Sequence, residues 1–416
     1  MRSPSPQREF AIEIVRRLRD AGHTALFAGG CVRDSLLGRE AKDYDVATTA
    51  LPEQVRQLFG HRRTLAVGAS FGVIMVIGPA NVGTVEVATF RTEGPYQDGR
   101  RPEHVTFATP QEDAHRRDFS INGMFFDPVD ERVLDYVGGE SDLAAKVVRA
   151  IGDPRERIRE DKLRMLRAIR FTATLGFSLD TATASAIREM SAELTVVSAE
   201  RITQEIKRML VDVHRRRAIE LADDVGLVQV IFPELRQFRG QETWKHTLQS
   251  LALLDQPSFE LALTAFLLPL SSSSTVLSIC RRMKLSNDES ARIGWLTQHH
   301  GALDEAPKLS LSSLKRILAH PGAAELLNLE TAVRIAKGLS DAPIAFCRRF
   351  LEETPSEIID PPPLITGDDL IKMGLFPGPR FKSVLVRIRD AQLNLEIHTP
   401  EEASTMAIAL WNEEGA

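Results

Sequence analysis

Strand-like and helix-like segments alternate along this chain up to about residue 150, but from Pro154 to about residue 350 strand signals nearly vanish and helical periodicity dominates. Mixed elements followed by helices alone cannot form one continuous layered sheet, so the pattern predicts an α+β multidomain chain. A length of 416 residues is ample for two to four domains.

Within the first region, Phe10, Ile14, Val15 and Leu18 recur at helical spacing over residues 7–21. A short strand at about 24–28 leads into Gly29-Gly30, and a helical stretch follows around 31–38. Asp43–Ala47 reads as the next strand, and Pro52 opens the helix PEQVRQLF at its first position. RTLAV, FGVIMVIG and TVEVATF read as strands; the second is almost wholly apolar, which predicts a buried central strand. Farther on, SSSST at 271–275 reads as a loop. Pro361-Pro362-Pro363 marks a stiff break before a small helical unit. No internal repeat is evident.

Asp43 and Asp45 flank Tyr44, and residues i and i+2 of a strand project to the same face. Paired hard oxygen donors suit Mg²⁺, which binds one or two carboxylates plus substrate phosphates. Gly29 and Gly30 let backbone approach a phosphate with no Cβ in the way. Asp-x-Asp alone fits a solvated turn, and Gly-Gly alone is weak. Gly-Gly-x-x-Arg-Asp with Asp-x-Asp ten residues after its arginine is far more restrictive. The combination reads as a metal-dependent nucleotidyl transfer site, in which two metals roughly 3.5–4 Å apart activate the attacking hydroxyl and stabilise the leaving pyrophosphate. Glu86, in VEVATFR, is the candidate third carboxylate; the alternative is an ion pair with Arg91 or another base.

Arg33 is placed to clamp a triphosphate, with Asp34 as a further contact or merely its orienting partner. In HRRDFSINGMFFDP, Arg116, Arg117, Asp118 and Asn122 are candidates to hold ribose and phosphates. A structural ion pair explains Arg116 and Asp118 equally well. In ERIREDKLRMLRAIRF, Asp161 and Arg164 at i, i+3 would share a helix face, and Arg167 and Arg170 continue the stripe. Such pairs are often plain surface salt bridges. A carboxylate, however, accepts from the exocyclic amine that cytosine and adenine have and uracil lacks. An arginine donates to the adjoining ring acceptors. Asp161 with Arg164 would thus select C and A with protein groups alone.

The motifs Gly-Gly-x-Val-Arg-Asp, Asp-x-Asp, Arg-Arg-Asp-Phe-Ser-Ile-Asn, DYVGGESDL, VRAIGDP, Glu-Asp-x-x-Arg and AERITQEIKRML occur in this order over about residues 26–210. In them the chain resembles the class II tRNA nucleotidyltransferases, a family that also contains bacterial poly(A) polymerases. The resemblance implies a polymerase-β-like head at 1–150, then an all-helical neck at 151–215, body at 216–355 and RNA-binding tail at 356–416. It implies that Asp43 and Asp45 bind the catalytic metals, and that Gly30, Arg33, Arg117, Asp161, Arg164, Arg167 and Arg170 contact CTP or ATP. TEGPYQDGRRPEHVTF resembles the family's flexible loop at full length, which favours an enzyme able to add the terminal A. One departure concerns QETWKHTLQSLALLDQPSFELALTAFLLPL. His246 matches the first histidine of an HD phosphohydrolase motif, but Leu268 and Pro269 replace its His-Asp pair and cannot ligate a metal. His246, His299 and His300 are therefore expected to be structural.

The expected function is addition of the 3′-terminal CCA, or only its terminal A, to tRNA from CTP and ATP with Mg²⁺. The alternatives are a poly(A) polymerase, a non-catalytic RNA-binding protein and a nucleotide phosphohydrolase. A net charge of −5 gives no global basic field, so RNA contact must use local positive charge. The candidates are 214–217, 281–284 and Arg387/Arg389. Cys31, Cys280 and Cys347 form no metal motif and fit a reduced interior. MRSPSPQREF lacks an apolar signal core, and no uncharged stretch reaches membrane-spanning length. A cytoplasmic protein without an obligate protein partner is expected.

Overall fold

A period of two governs the strand that carries Glu86. Val85, Val87 and Thr89 are buried, while Glu86 is exposed between them. The computed structural model describes residues 5–68, 72–93 and 105–413, and these divide into two compact units, up to Pro233 and from Glu234.

The first unit begins with α1 (Pro6–Asp20), β1 (Ala25–Ala28), α2 (Gly30–Leu36), β2 (Asp45–Thr48) and α3 (Pro52–Phe59). Next come β3 (Thr64–Gly68), β4 (Val73–Ile77), β5 (Thr84–Thr89), β6 (Arg91–Glu93), β7 (Val105–Phe107) and α4 (Pro110–His115). β8 (Phe125–Asp127), β9 (Arg132–Leu134) and α5 (Gly139–Ala144) complete the mixed region. Seven strands form one sheet in the order β3-β4-β5-β2-β1-β8-β9, antiparallel except where β2 runs parallel to β5. That register sets Asp45 directly beside Glu86. α1 and α3 pack on the sheet. Phe90, Phe125, Leu26 and Ala47 belong to one core cluster.

Two strand expectations need correction. The second strand starts at Asp45, so Asp43 lies in the bend before it. FGVIMVIG supplies β4, which stands second from the β3 edge; β2 is central. Ile74 and Val76 are buried, while Val73, Met75 and Ile77 stay half-buried. Apolar composition reports burial of one face well and position in the sheet poorly.

The helical region is as predicted in kind, with one small exception. β10 (Val147–Val148) pairs in parallel with β11 (Ser178–Leu179), beyond Pro154. Between them, α6 (Pro154–Glu160) ends at Asp161 and α7 (Arg164–Leu175) begins after it. α8 (Thr181–Met190) and α9 (Ala199–Leu210) follow. In the second unit, the helix Phe259–Leu267 is buried on nearly all sides except at Glu260. The run 271–275 is mostly not a loop: Ser272 caps the helix Ser273–Arg282 by accepting from the Thr275 N–H, a common use of serine. After the three prolines, the helices Gly367–Lys372, Pro379–Leu393 and Pro400–Glu413 share a core of Leu370, Val384, Ala403 and Ala407. Among the described residues, no helix is long and apolar enough to cross a membrane.

Candidate active site

Gly29 caps α2 at φ +74°, a conformation that L side chains rarely adopt. A Cβ there would also lie 3.1 Å from an Arg117 guanidinium nitrogen. The turn after β1 thus brings bare backbone against an arginine, on the wall of a cleft of about 440 Å³. Gly30, Arg33, Asp45, Arg116, Arg117 and Asp118 line the same cleft, as do Asn122, Asp161, Arg164 and Arg167. Asp34, Asp43, Glu86 and Arg170 stand outside its lining.

Asp45 opens β2 in register with Glu86, and the charge of Asp43 also reaches it. Asp45 opens onto the cleft, yet partial removal from bulk water, then Glu86 and Asp43, push its carboxyl up to about 6 against the pull of Arg117. Such mutual repulsion is relieved by a hard divalent cation, so the donor set fits one. Among the described residues, no three His, Cys, Asp or Glu side chains complete a coordination shell. A cation bound here would take its other ligands from phosphate and water. Glu86 stands exposed in register with Asp45, while the Arg91 backbone N–H donates to Asp113 and its carbonyl accepts from Arg116.

A chain of hydrogen bonds joins α2 to α7. Asp34 Oδ1 accepts from Arg33 Nε at 2.8 Å and so orients that guanidinium. Arg33 NH1 donates to Asn122 Oδ1 at 2.7 Å, and Asn122 Nδ2 donates to Asp118 Oδ1 at 3.2 Å. Asp118 Oδ2 accepts from Arg167 Nε at 2.8 Å and NH2 at 2.6 Å. Burial pushes the Asp118 carboxyl up, but Arg167 and the hydrogen bonds outweigh it and hold it below the usual range. The structural partner of Asp118 is therefore Arg167, and that of Arg116 is Asp113. Phe171, on α7, has Arg170, Arg33 and Arg167 about its ring at 4.1, 5.3 and 5.4 Å. Cations over an aromatic face are attracted by its quadrupole. Arg170 also donates to the buried Glu205 at 2.6 Å.

Asp161 and Arg164 do not share a continuous helix face. Asp161 is extended (φ −142°, ψ 104°) and ends α6, while Arg164 opens α7. The break is held locally, since Asp161 Oδ1 accepts from the Leu163 N–H at 3.0 Å. Both residues nevertheless reach the cleft. Asp161 Oδ2 accepts from Arg201 of α9 at 2.7 Å. A carboxylate has about four acceptor positions, so capacity remains for a ligand. Arg164 is only 9% exposed, which removes the surface salt-bridge reading. Its NH1 donates to Arg157 O and Glu160 Oε2, and its NH2 to Arg116 O.

Sequence reasoning passed over Asp113, Phe171, Arg201 and Glu205. Asp113 had a signal, its i, i+3 and i, i+4 spacing to Arg116 and Arg117. Burial pushes its carboxyl up, but Arg117 and Arg116 outweigh that and hold it below the usual range. Most of the loop expected at 92–107 lies outside the described residues; its flanks pair as β6 and β7. His246 sits 3.6 Å from Glu242 on the same helix, while Leu268 and Pro269 lie in a short 3-10 turn. His299 stacks on Trp295, and His300 bonds the buried Glu330. Of the basic runs, Arg215 is buried and donates to Leu210 O, so it is withdrawn as an RNA contact. Arg217 donates to Phe177 O, and Arg282, Arg387 and Arg389 are ion-paired.

Residues 25–149 match the family described as Poly A polymerase head domain, and residues 176–238 that described as "Probable RNA and SrmB- binding site of polymerase A". Fold and cleft thus define an RNA nucleotidyltransferase with a polymerase-β-like head and a helical remainder. The chain is 34% identical over 409 residues to the CCA-adding enzyme of Pediococcus pentosaceus, covering 96% of this chain and 97% of that one. It is 46% identical over 211 residues to that of Bacillus subtilis, covering 50% and 52% respectively. The crystal structure of a Bacillus stearothermophilus CCA-adding enzyme in complex with CTP superposes with a TM-score of 0.78, at 29% identity and 99% coverage of both chains. The chain belongs to the CCA-adding enzyme family.

Proposed function

We propose that this chain adds the 3′-terminal CCA to tRNA, taking CTP and ATP in turn into one cleft. The observation that carries the reading is a single wall shared by Asp45, Arg33, Arg117 and Arg167 with Asp161 and Arg164. A carboxylate for metal-assisted transfer, cations for a triphosphate and a donor–acceptor pair for a base thereby face one volume. The relatives named above, CCA-adding enzymes of which one is in complex with CTP, support this reading.

The 3′ hydroxyl of the RNA attacks the α-phosphate, and pyrophosphate leaves. Mg²⁺ held by Asp43 and Asp45, with Glu86 as a candidate third carboxylate, would supply charge neutralisation and hydroxyl activation. Arg33, Arg117 and Arg167 bind the triphosphate, with Arg170 behind them. The Gly29-Gly30 turn admits a phosphate close to backbone. Asp34, Asp118 and Asn122 keep the cations in place, and Asn122 and Arg116 face the ribose. Asp161 and Arg164 select the base, so that no nucleic-acid template is needed. The head spans 1–150, the neck 151–215, the body 216–355 and an RNA-binding tail 356–416. The protein works in the cytoplasm.

Asp43→Ala and Asp45→Ala should each abolish incorporation while tRNA binding in a filter assay stays within about threefold, since metal ligands act on the transition state. Incorporation at the wild-type rate by either variant would remove the assigned mechanism.

A further inference from the structure

Asp113 lies in α4, is 1% exposed and does not line the cleft. Its Oδ1 accepts from Arg116 Nε at 2.8 Å, Arg116 NH2 at 2.7 Å and the Arg91 N–H at 3.2 Å. Its Oδ2 accepts from Arg117 Nε at 3.1 Å and NH2 at 3.0 Å. One buried carboxylate thus holds two adjacent guanidinium groups, each through two nitrogens.

What each arginine does with its remaining groups gives this arrangement its reach. Arg117 NH1 is left to span the cleft wall, at 3.4 Å from Asn122 O and beside Gly29. The Arg116 carbonyl accepts from Arg164 NH2 at 3.0 Å. Helical ion pairs at these spacings contribute little when exposed. Here the anion is desolvated and shared, so removing its charge leaves two neighbouring cations without the group that sets their geometry.

We infer that Asp113 is a positioning residue for nucleotide binding, fixing Arg117 beside the Gly29 turn and, through Arg116, the backbone on which Arg164 rests. The inference rests on the reading that this cleft takes CTP and ATP. Asp113 touches neither nucleotide, so its loss acts on KM for both alike.

The test is steady-state incorporation of CTP into tRNA lacking CCA, and of ATP into tRNA ending in CC. Asp113→Asn should raise KM for each nucleotide by about tenfold, with kcat within about threefold of wild type. The control is Asp142→Asn, which removes another buried carboxylate of the same unit, bonded to Ser120 and Arg149. It should lower the melting temperature and leave KM unchanged. A folded Asp113→Asn with wild-type KM overturns the inference, as does an equal KM rise in Asp142→Asn. If Asp113→Asn does not fold, Asp113→Glu keeps the charge but displaces both guanidinium groups. It should raise KM severalfold, and a wild-type KM there overturns the inference too. A wild-type protein that incorporates neither nucleotide contradicts the functional reading instead.

Discussion

Asp45 stands in register beside Glu86 with Asp43 close by, and its carboxyl is raised from 3.8 to about 6. An acid whose folded pKa is raised contributes stability that is fully present below the unfolded pKa and is lost as pH rises through the folded value. In metal-free protein at neutral pH, ionised Asp45 therefore opposes folding. With a chelator present, Asp45→Asn should melt above wild type at pH 7.5, and the gap should close as pH falls from about 6 toward 4. A lower melting temperature for Asp45→Asn at pH 7.5 would mean that the carboxylate is not strained. Part of the cleft lining was legible, because Gly29, Arg33 and Asp45 are close in sequence and chemically distinctive. Phe171 and Glu205 were not. An apolar ring and a helical glutamate acquire meaning only once folding sets arginines from two elements around them.

The junction between α6 and α7 sets how Asp161 and Arg164 reach the cleft proposed to take the base. IREDKLRM contains no glycine or proline, so helical periodicity reads straight through it. The break arises instead from Asp161 taking the Leu163 N–H with its side chain, the local competition that makes aspartate a cap. Arg201, forty residues later, then holds the other carboxylate oxygen, a partner that no local spacing could indicate. The same limitation misread the serine run at 271–275, where Ser272 starts a helix. Asp161→Ala should relax base choice, because an acceptor matched to an exocyclic amine accounts for about 1–3 kcal/mol, or roughly ten- to a hundredfold in discrimination. Competition assays of CTP against UTP and ATP against GTP read this directly. Discrimination equal to wild type would leave Asp161 as a cap and nothing more.

At the scale of the molecule, the strand-rich start and helical remainder were read correctly because periods of 2 and 3.6 differ strongly over long stretches. RNA contact was harder to read. Runs of arginine look alike in sequence whether they face solvent or, like Arg215 and Arg217, hold backbone carbonyls. The central claim is that one cleft with a fixed carboxylate end serves both C and A. It is tested by offering tRNAs that end before CCA, after C and after CC, each with CTP alone, ATP alone or both. With both nucleotides, all three should finish as CCA ends. CTP alone should carry the first two to CC, and ATP alone should extend only the third, by one residue. Incorporation confined to ATP on the CC-ended tRNA, or a long adenylate tail on any of them, would contradict it.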